Sequence, residues 1–125
     1  MRLLLDTQVF LWAVAGSPLL KPATRRVIEG AEEVHVSAAS LWEIALKTRL
    51  GKLKADPAAL AAAIDASGFI ELPVSAAHAA GIVQLPLHHR DPFDRMLVAQ
   101  ALAEPLRLLT ADAALAAYGE IVLPA

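Results

Sequence analysis

The chain has 125 residues, is 57% hydrophobic and 19% charged, carries a net charge of −2 and has no cysteine. That length suits one domain with one core, and the missing cysteine excludes disulfides, a thiol nucleophile and a thiolate zinc site. A pI of about 6.0 excludes a global basic footprint, so any nucleic-acid contact must come from a local patch.

Residues 2–5 read as a short buried strand, followed by a helix over 7–15 that stops at Gly16-Ser17-Pro18. A second helix is expected over 23–29, closed by Gly30 as a C-terminal stop. Residues 33–36 form the next strand, and Ser37 begins a helix to about residue 50, ended by Gly51. Asp56-Pro57 has the signature of a cap with proline at the first helical position and opens a helix to about 66. A strand over 69–72 and a helix capped by Ser75 follow, with a loop over 85–90. Asp91-Pro92 repeats the cap-plus-proline signature for a helix to about 103. Residues 107–109 form a strand, Thr110 caps a last short helix, and 120–123 close the sheet.

Strands alternating with helices argue for a parallel sheet with right-handed crossovers. The expectation is a single domain over residues 1–125. Its fold class is α/β, a three-layer α/β/α arrangement with four to five short parallel strands and helices on both faces. Mean hydropathy is +0.52, yet no run approaches the roughly 18 apolar residues a spanning helix needs. The apolar run after Met1-Arg2 is too short for a signal peptide. A cytoplasmic protein without membrane contact is expected.

Four acids fall at a strand end or early in the helix that follows: Asp6, Glu43, Asp94 and Asp112. In an open parallel sheet the carboxyl ends of the strands face one crevice, so these distant acids can meet there. Clustered carboxylates are hard to keep ionised. A bound divalent metal resolves this and points to phosphate chemistry. Each acid also has a plainer account. Asp6 is a natural N-cap. Ser40-x-x-Glu43 matches a capping box, although Ser37 is the better helix start. Asp94 suits the first turn of a helix capped by Asp91, and Asp112 suits the start of the last helix. Thr7, Ser40, Asp91 and Thr110 stand beside the acids and are candidates to orient them.

Lys47, Arg49, Lys52 and Lys54 form a short basic stretch, either a solvated helix end or the local patch the global charge lacks. His88 and His89 are adjacent in a loop and so point apart. Phosphate or base contacts, or loop packing, suit them better than one shared ion. Trp12 and Trp42 sit in apolar helical patterns and read as core or interface.

The chain resembles the PIN-domain family, in particular the VapC-type toxins of bacterial toxin–antitoxin pairs. The resemblance rests on Leu4-Leu5-Asp6-Thr7, on Val36 to Ala45 with Lys47 and Gly51-Lys52-Leu53, on Leu85-Pro86 with His88 to Arg95 and Ala99-Gln100-Ala101, and on Leu109-Thr110 with Asp112. It spans essentially the full length, and the stretch from His89 to Arg95 is its most specific part. It implies a metal-dependent endoribonuclease whose metal and catalytic positions are Asp6, Glu43, Asp94 and Asp112. The cofactor would be Mg2+, with Mn2+ possible. Partners would be an RNA substrate, an antitoxin protein and a second copy in a homodimer. Gln8 stands where a histidine is common in that family; the acids are intact. Arg90, Arg95, His88 and Lys47 are candidates to hold the RNA backbone. The apolar surplus around Phe10-Leu11-Trp12 and Leu41-Trp42 is the candidate interface. Neutralising Asp6 or Asp94 is expected to remove activity and leave the fold intact or more stable. A non-catalytic PIN-like binding module is the alternative. An aspartate-based phosphoacceptor or phosphatase fits less well, because Gln8 replaces the second aspartate such phosphatases use.

Overall fold

Leu3, Leu4 and Leu5 are all wholly buried in β1 (Arg2–Leu5). Successive strand residues point to opposite faces, so an unbroken apolar run means that both faces of the strand are covered. The computed structural model, which describes residues 1–125, puts β1 at the centre of a five-stranded, wholly parallel sheet. The order is β3-β2-β1-β4-β5, with β2 at Glu33–Ser37, β3 at Ile70–Leu72, β4 at Arg107–Thr110 and β5 at Val122–Pro124.

Leu3 and Leu5 join Val34, Val36 and Leu109 under Val9 and Phe10 of α1 (Thr7–Ala15), Ile28 of α2 (Pro22–Gly30), Ile44 of α3 (Ala38–Arg49) and Ile64 of α4 (Pro57–Ala66). Leu4 and Leu108 face the other way, against Leu97, Val98 and Ala101 of α6 (Pro92–Ala103), with Leu106 and Leu115. The short α5 (Ala76–Gly81) packs against α6. The result is the three-layer α/β/α arrangement, and no helix is long and apolar enough to cross a membrane.

The chain winds outward from β1 through β2 to β3, then returns to place β4 on the other side of β1. The order therefore reverses between β1 and β4, where an open α/β sheet forms its ligand crevice. Leu5 pairs with Leu109 in register, and the Asp6 N–H donates to the Leu109 carbonyl. The residues that follow these two strands are thus brought to one place.

The helix starts have clear local causes. Asp6, Ser37, Asp56, Ser75 and Asp91 each accept a backbone N–H as N-caps, supplying an acceptor the first turn otherwise lacks. Gly16 closes α1 at φ 62, a left-handed conformation that costs glycine little. Some expectations need correction. Gly30 is the last residue of α2 and Ala31 is its extended C-cap, so there is no left-handed glycine stop. Thr110 belongs to β4; the cap of the final segment is Asp112, and that segment (Ala113–Tyr118) is 3-10. Phe10 is wholly buried, so it belongs to the core and not to an interface.

Candidate metal centre

Asp6 ends β1 and caps α1. Its Oδ1 accepts the Val9 N–H at 2.7 Å, and its Oδ2 accepts the Thr110 hydroxyl and the Ala111 N–H. One carboxylate thus ties α1 to the end of β4. Burial pushes its pKa up. The bonds from Thr110, Val9 and Ala111 oppose this, and the charge of Glu43 adds to the rise.

Glu43 lies in the second turn of α3 and is buried. Its Oε1 accepts the Thr7 hydroxyl at 2.7 Å, and that hydroxyl lies 2.9 Å from the Ser40 hydroxyl. Its Oε2 takes the Lys47 ammonium at 2.6 Å. Ser40 therefore supports Thr7, and the cap of α3 is Ser37, as the strand boundary demanded.

Asp91 caps α6 by accepting the N–H groups of Phe93 and Asp94. This aims Asp94, in the first turn, at the crevice. The Asp94 carboxylate accepts no hydrogen bond; the nearest basic group is His89 Nε2, 3.7 Å away. Burial, then the charge of Asp91, push its pKa up to about 7, with His89 opposing and Glu43 and Asp6 adding.

Asp112 accepts the Ala114 N–H at Oδ1 and meets His89 Nε2 at Oδ2, 3.0 Å away. The Asp91 N–H donates to His89 Nδ1. A nitrogen that accepts leaves the proton of the neutral ring on the other nitrogen. His89 therefore turns an N–H, not a lone pair, toward Asp112.

Asp6, Glu43, Asp91, Asp94 and Asp112 share one cleft of about 450 Å³ with Lys47 and Lys52. The oxygens of Asp94 and Asp112 and a His89 nitrogen lie within 4.8 Å of one another. Donors around a six-coordinate Mg2+ lie about 3–4 Å apart, so the carboxylate pair is within reach of one ion. Asp94 is the decisive observation. A half-buried carboxylate with no donor facing it is an uncompensated charge, and oxygen donors of this kind suit a hard divalent ion. The residues present fit such an ion.

Without metal, stability is expected to fall as pH rises from about 4 to about 7. The ordinary value for Asp94 is 3.8 and its folded value is about 7. Between the two, the native state holds a proton that the unfolded chain has released, so raising the pH favours unfolding. Asp6 acts in the same direction. The loss is on the order of 1–2 kcal/mol after allowance for the partial exposure of Asp94. Urea unfolding in chelator at pH 5 and pH 8 measures it, and greater stability at pH 8 would refute it.

The expected RNA-holding residues separate. Lys47 lines the cleft, joined by Lys52. Arg90 is exposed outside the cleft wall. His88 is stacked edge-on against Tyr118, with ring centroids 5.0 Å apart, beside a different cavity. Arg95 also departs from expectation. Its guanidinium donates to the carbonyls of Pro86, Ile82 and His89 and to the Tyr118 hydroxyl, so it clamps the loop that carries His89. Arg95→Ala should cost about 1–3 kcal/mol and speed amide exchange over 85–90. Unchanged exchange there would remove the clamp assignment.

Sequence alone does not single out Tyr118 or the edge-on contact of Trp42 with Phe93 (4.9 Å). Nothing in local periodicity signals either. The Glu43–Lys47 pair was legible as an acid four residues before a base on one helix.

A model of the PIN domain matches residues 3–121. The fold is similar to that of several solved structures. For DNA-bound VapBC from Salmonella typhimurium the TM-score is 0.70 at 15% identity, covering 99% of this chain and 98% of that one. For FitAcB from Neisseria gonorrhoeae it is 0.66 at 21% identity, covering 97% and 96%. For VapC20 from Mycobacterium tuberculosis, described as a Sarcin-Ricin loop cleaving toxin, it is 0.62 at 20% identity, covering 94% and 95%. No curated protein sequence matches this chain. With the family model matching almost end to end, over a parallel sheet whose switch point gathers five acids, the chain belongs to the PIN-domain family.

Proposed function

We propose that this protein is a metal-dependent endoribonuclease and the toxin of a toxin–antitoxin pair. The carrying observation is the bare Asp94 carboxylate facing Asp112 in the crevice. The structural likeness to a toxin described as cleaving the Sarcin-Ricin loop, and to VapBC and FitAcB, supports the class.

Asp6, Asp94 and Asp112 would hold a divalent ion, Mg2+ or Mn2+, with Glu43 lining the same cleft. When bound, the ion neutralises phosphate charge and acidifies water. The chain's own residues do the rest. Thr110 and the Ala111 N–H fix Asp6, the Asp91 cap aims Asp94, and His89 orients Asp112. Lys52 and Lys47 offer ammonium groups at the cleft wall for backbone phosphates. Such preorganised charge does most of the work in phosphoryl chemistry.

An antitoxin is the expected partner. Trp42, Leu46 and Leu50 are exposed at four-residue spacing along and just beyond α3, the helix that also carries Glu43. A helix laid on that stripe would end near the cleft. A homodimer remains the expected assembly, with Val83, Leu87 and Leu102 as further exposed apolar side chains.

The test is expression of the chain alone. Growth arrest that is relieved by the Asp94→Asn variant, with fragmented RNA in the arrested cells, supports the reading. Normal growth and intact RNA, with the protein present and folded, would contradict it.

A further inference from the structure

We propose that Lys47 supplies the cleft's second positive charge, so that the protein takes up a single divalent ion, on the Asp94–Asp112 side, and none beside Glu43. This rests on the metal-nuclease reading and goes beyond it by setting the number of ions.

The acids of the one cleft are held in two unlike ways. On one side, Asp94 accepts no hydrogen bond, and Asp112 keeps only a cap contact and the His89 N–H. No lysine or arginine bonds to either of them, and Lys47 acts on Asp94 only through its charge at longer range. On the other side, both Glu43 oxygens are engaged, Oε1 by the Thr7 hydroxyl and Oε2 by the Lys47 ammonium at 2.6 Å. Lys47 lies four residues after Glu43 on α3, so the helix itself delivers the ammonium there. A divalent ion beside Glu43 would have to displace a bonded cation and face its charge at close range.

The charge balance agrees. Five carboxylates and two lysines line the cleft. One divalent ion brings the cleft within one charge of neutrality. A second would make it net positive before any phosphate arrives. Two-metal sites hold their ions about 3.5–4 Å apart on carboxylates free to ligate, and here Lys47 already claims one of the acids. Its side chain is 45% exposed, so removing the charge spares the core.

The test titrates the metal-free protein with manganese(II) chloride, reading free ion by electron paramagnetic resonance. Wild type should bind one ion per chain. Lys47→Met should bind two, and its bound spectrum should carry the signature of a spin-coupled manganese pair. Lys47→Arg, which retains the cation, should remain at one. Circular dichroism confirms the fold of each variant. Two ions in wild type, or one in Lys47→Met, would overturn the proposal and leave the nuclease reading standing. No manganese bound by any form would overturn both.

Discussion

Asp94→Asn is expected to reduce RNA cleavage by about 10²–10³-fold or more, the scale of losing a charged group from a preorganised site, and to make the metal-free protein more stable. The two effects have one cause. Asp94 is held with no hydrogen-bond donor, and burial together with Asp91 pushes its pKa up to about 7. The neutral amide removes that repulsion, for a gain on the order of 1–2 kcal/mol at pH 8. For a chain of this size that is a rise of a few degrees in Tm. Asp6→Asn should lose activity to a similar degree without the gain. Its Oδ2 accepts both the Thr110 hydroxyl and the Ala111 N–H. An amide nitrogen in that place would set donor against donor and cost about 1–3 kcal/mol. The structure thus divides two variants that the sequence treats alike. Cleavage assays beside thermal melts in chelator check both, and an active, destabilised Asp94→Asn protein would contradict the account.

Cleavage is expected to leave 5′-phosphate and 3′-hydroxyl ends and to stop completely in chelator. A histidine-based ribonuclease would use the 2′-hydroxyl of the RNA and leave a cyclic phosphate. That route needs free imidazoles at the reacting phosphate. His88 is stacked on Tyr118 beside another cavity, and both nitrogens of His89 are engaged, by the Asp91 N–H and by Asp112. No imidazole in the cleft is free to act as a base. The expected route therefore has water as the nucleophile and the 3′-oxygen as the leaving group. RNA with one 2′-deoxy nucleotide at the cleaved position, followed by mass spectrometry of the ends, separates the routes. Continued cleavage with 5′-phosphate supports the reading. A 2′,3′-cyclic end formed without metal would sink it.

By itself, the sequence determined the layers, most helix starts and the identity of the acids. Consecutive buried leucines mark a strand covered on both faces, and Asp91-Pro92 marks a helix start by chemistry confined to a few residues. These are local causes, so they survive without knowledge of what lies nearby. Only the tertiary structure decided which partner each charge meets. Thr110 reads locally as a helix cap, yet β1 pairing with β4 brings it to Asp6, 104 residues away. Arg95 reads as an RNA contact beside an acid, yet the fold brings it three carbonyls and a tyrosine hydroxyl from different segments. His89 is aimed by an N–H two residues away, but its target, Asp112, is supplied by a different element. Such pairings depend on the strand order, which brings the residues after β1 and β4 together at the reversal.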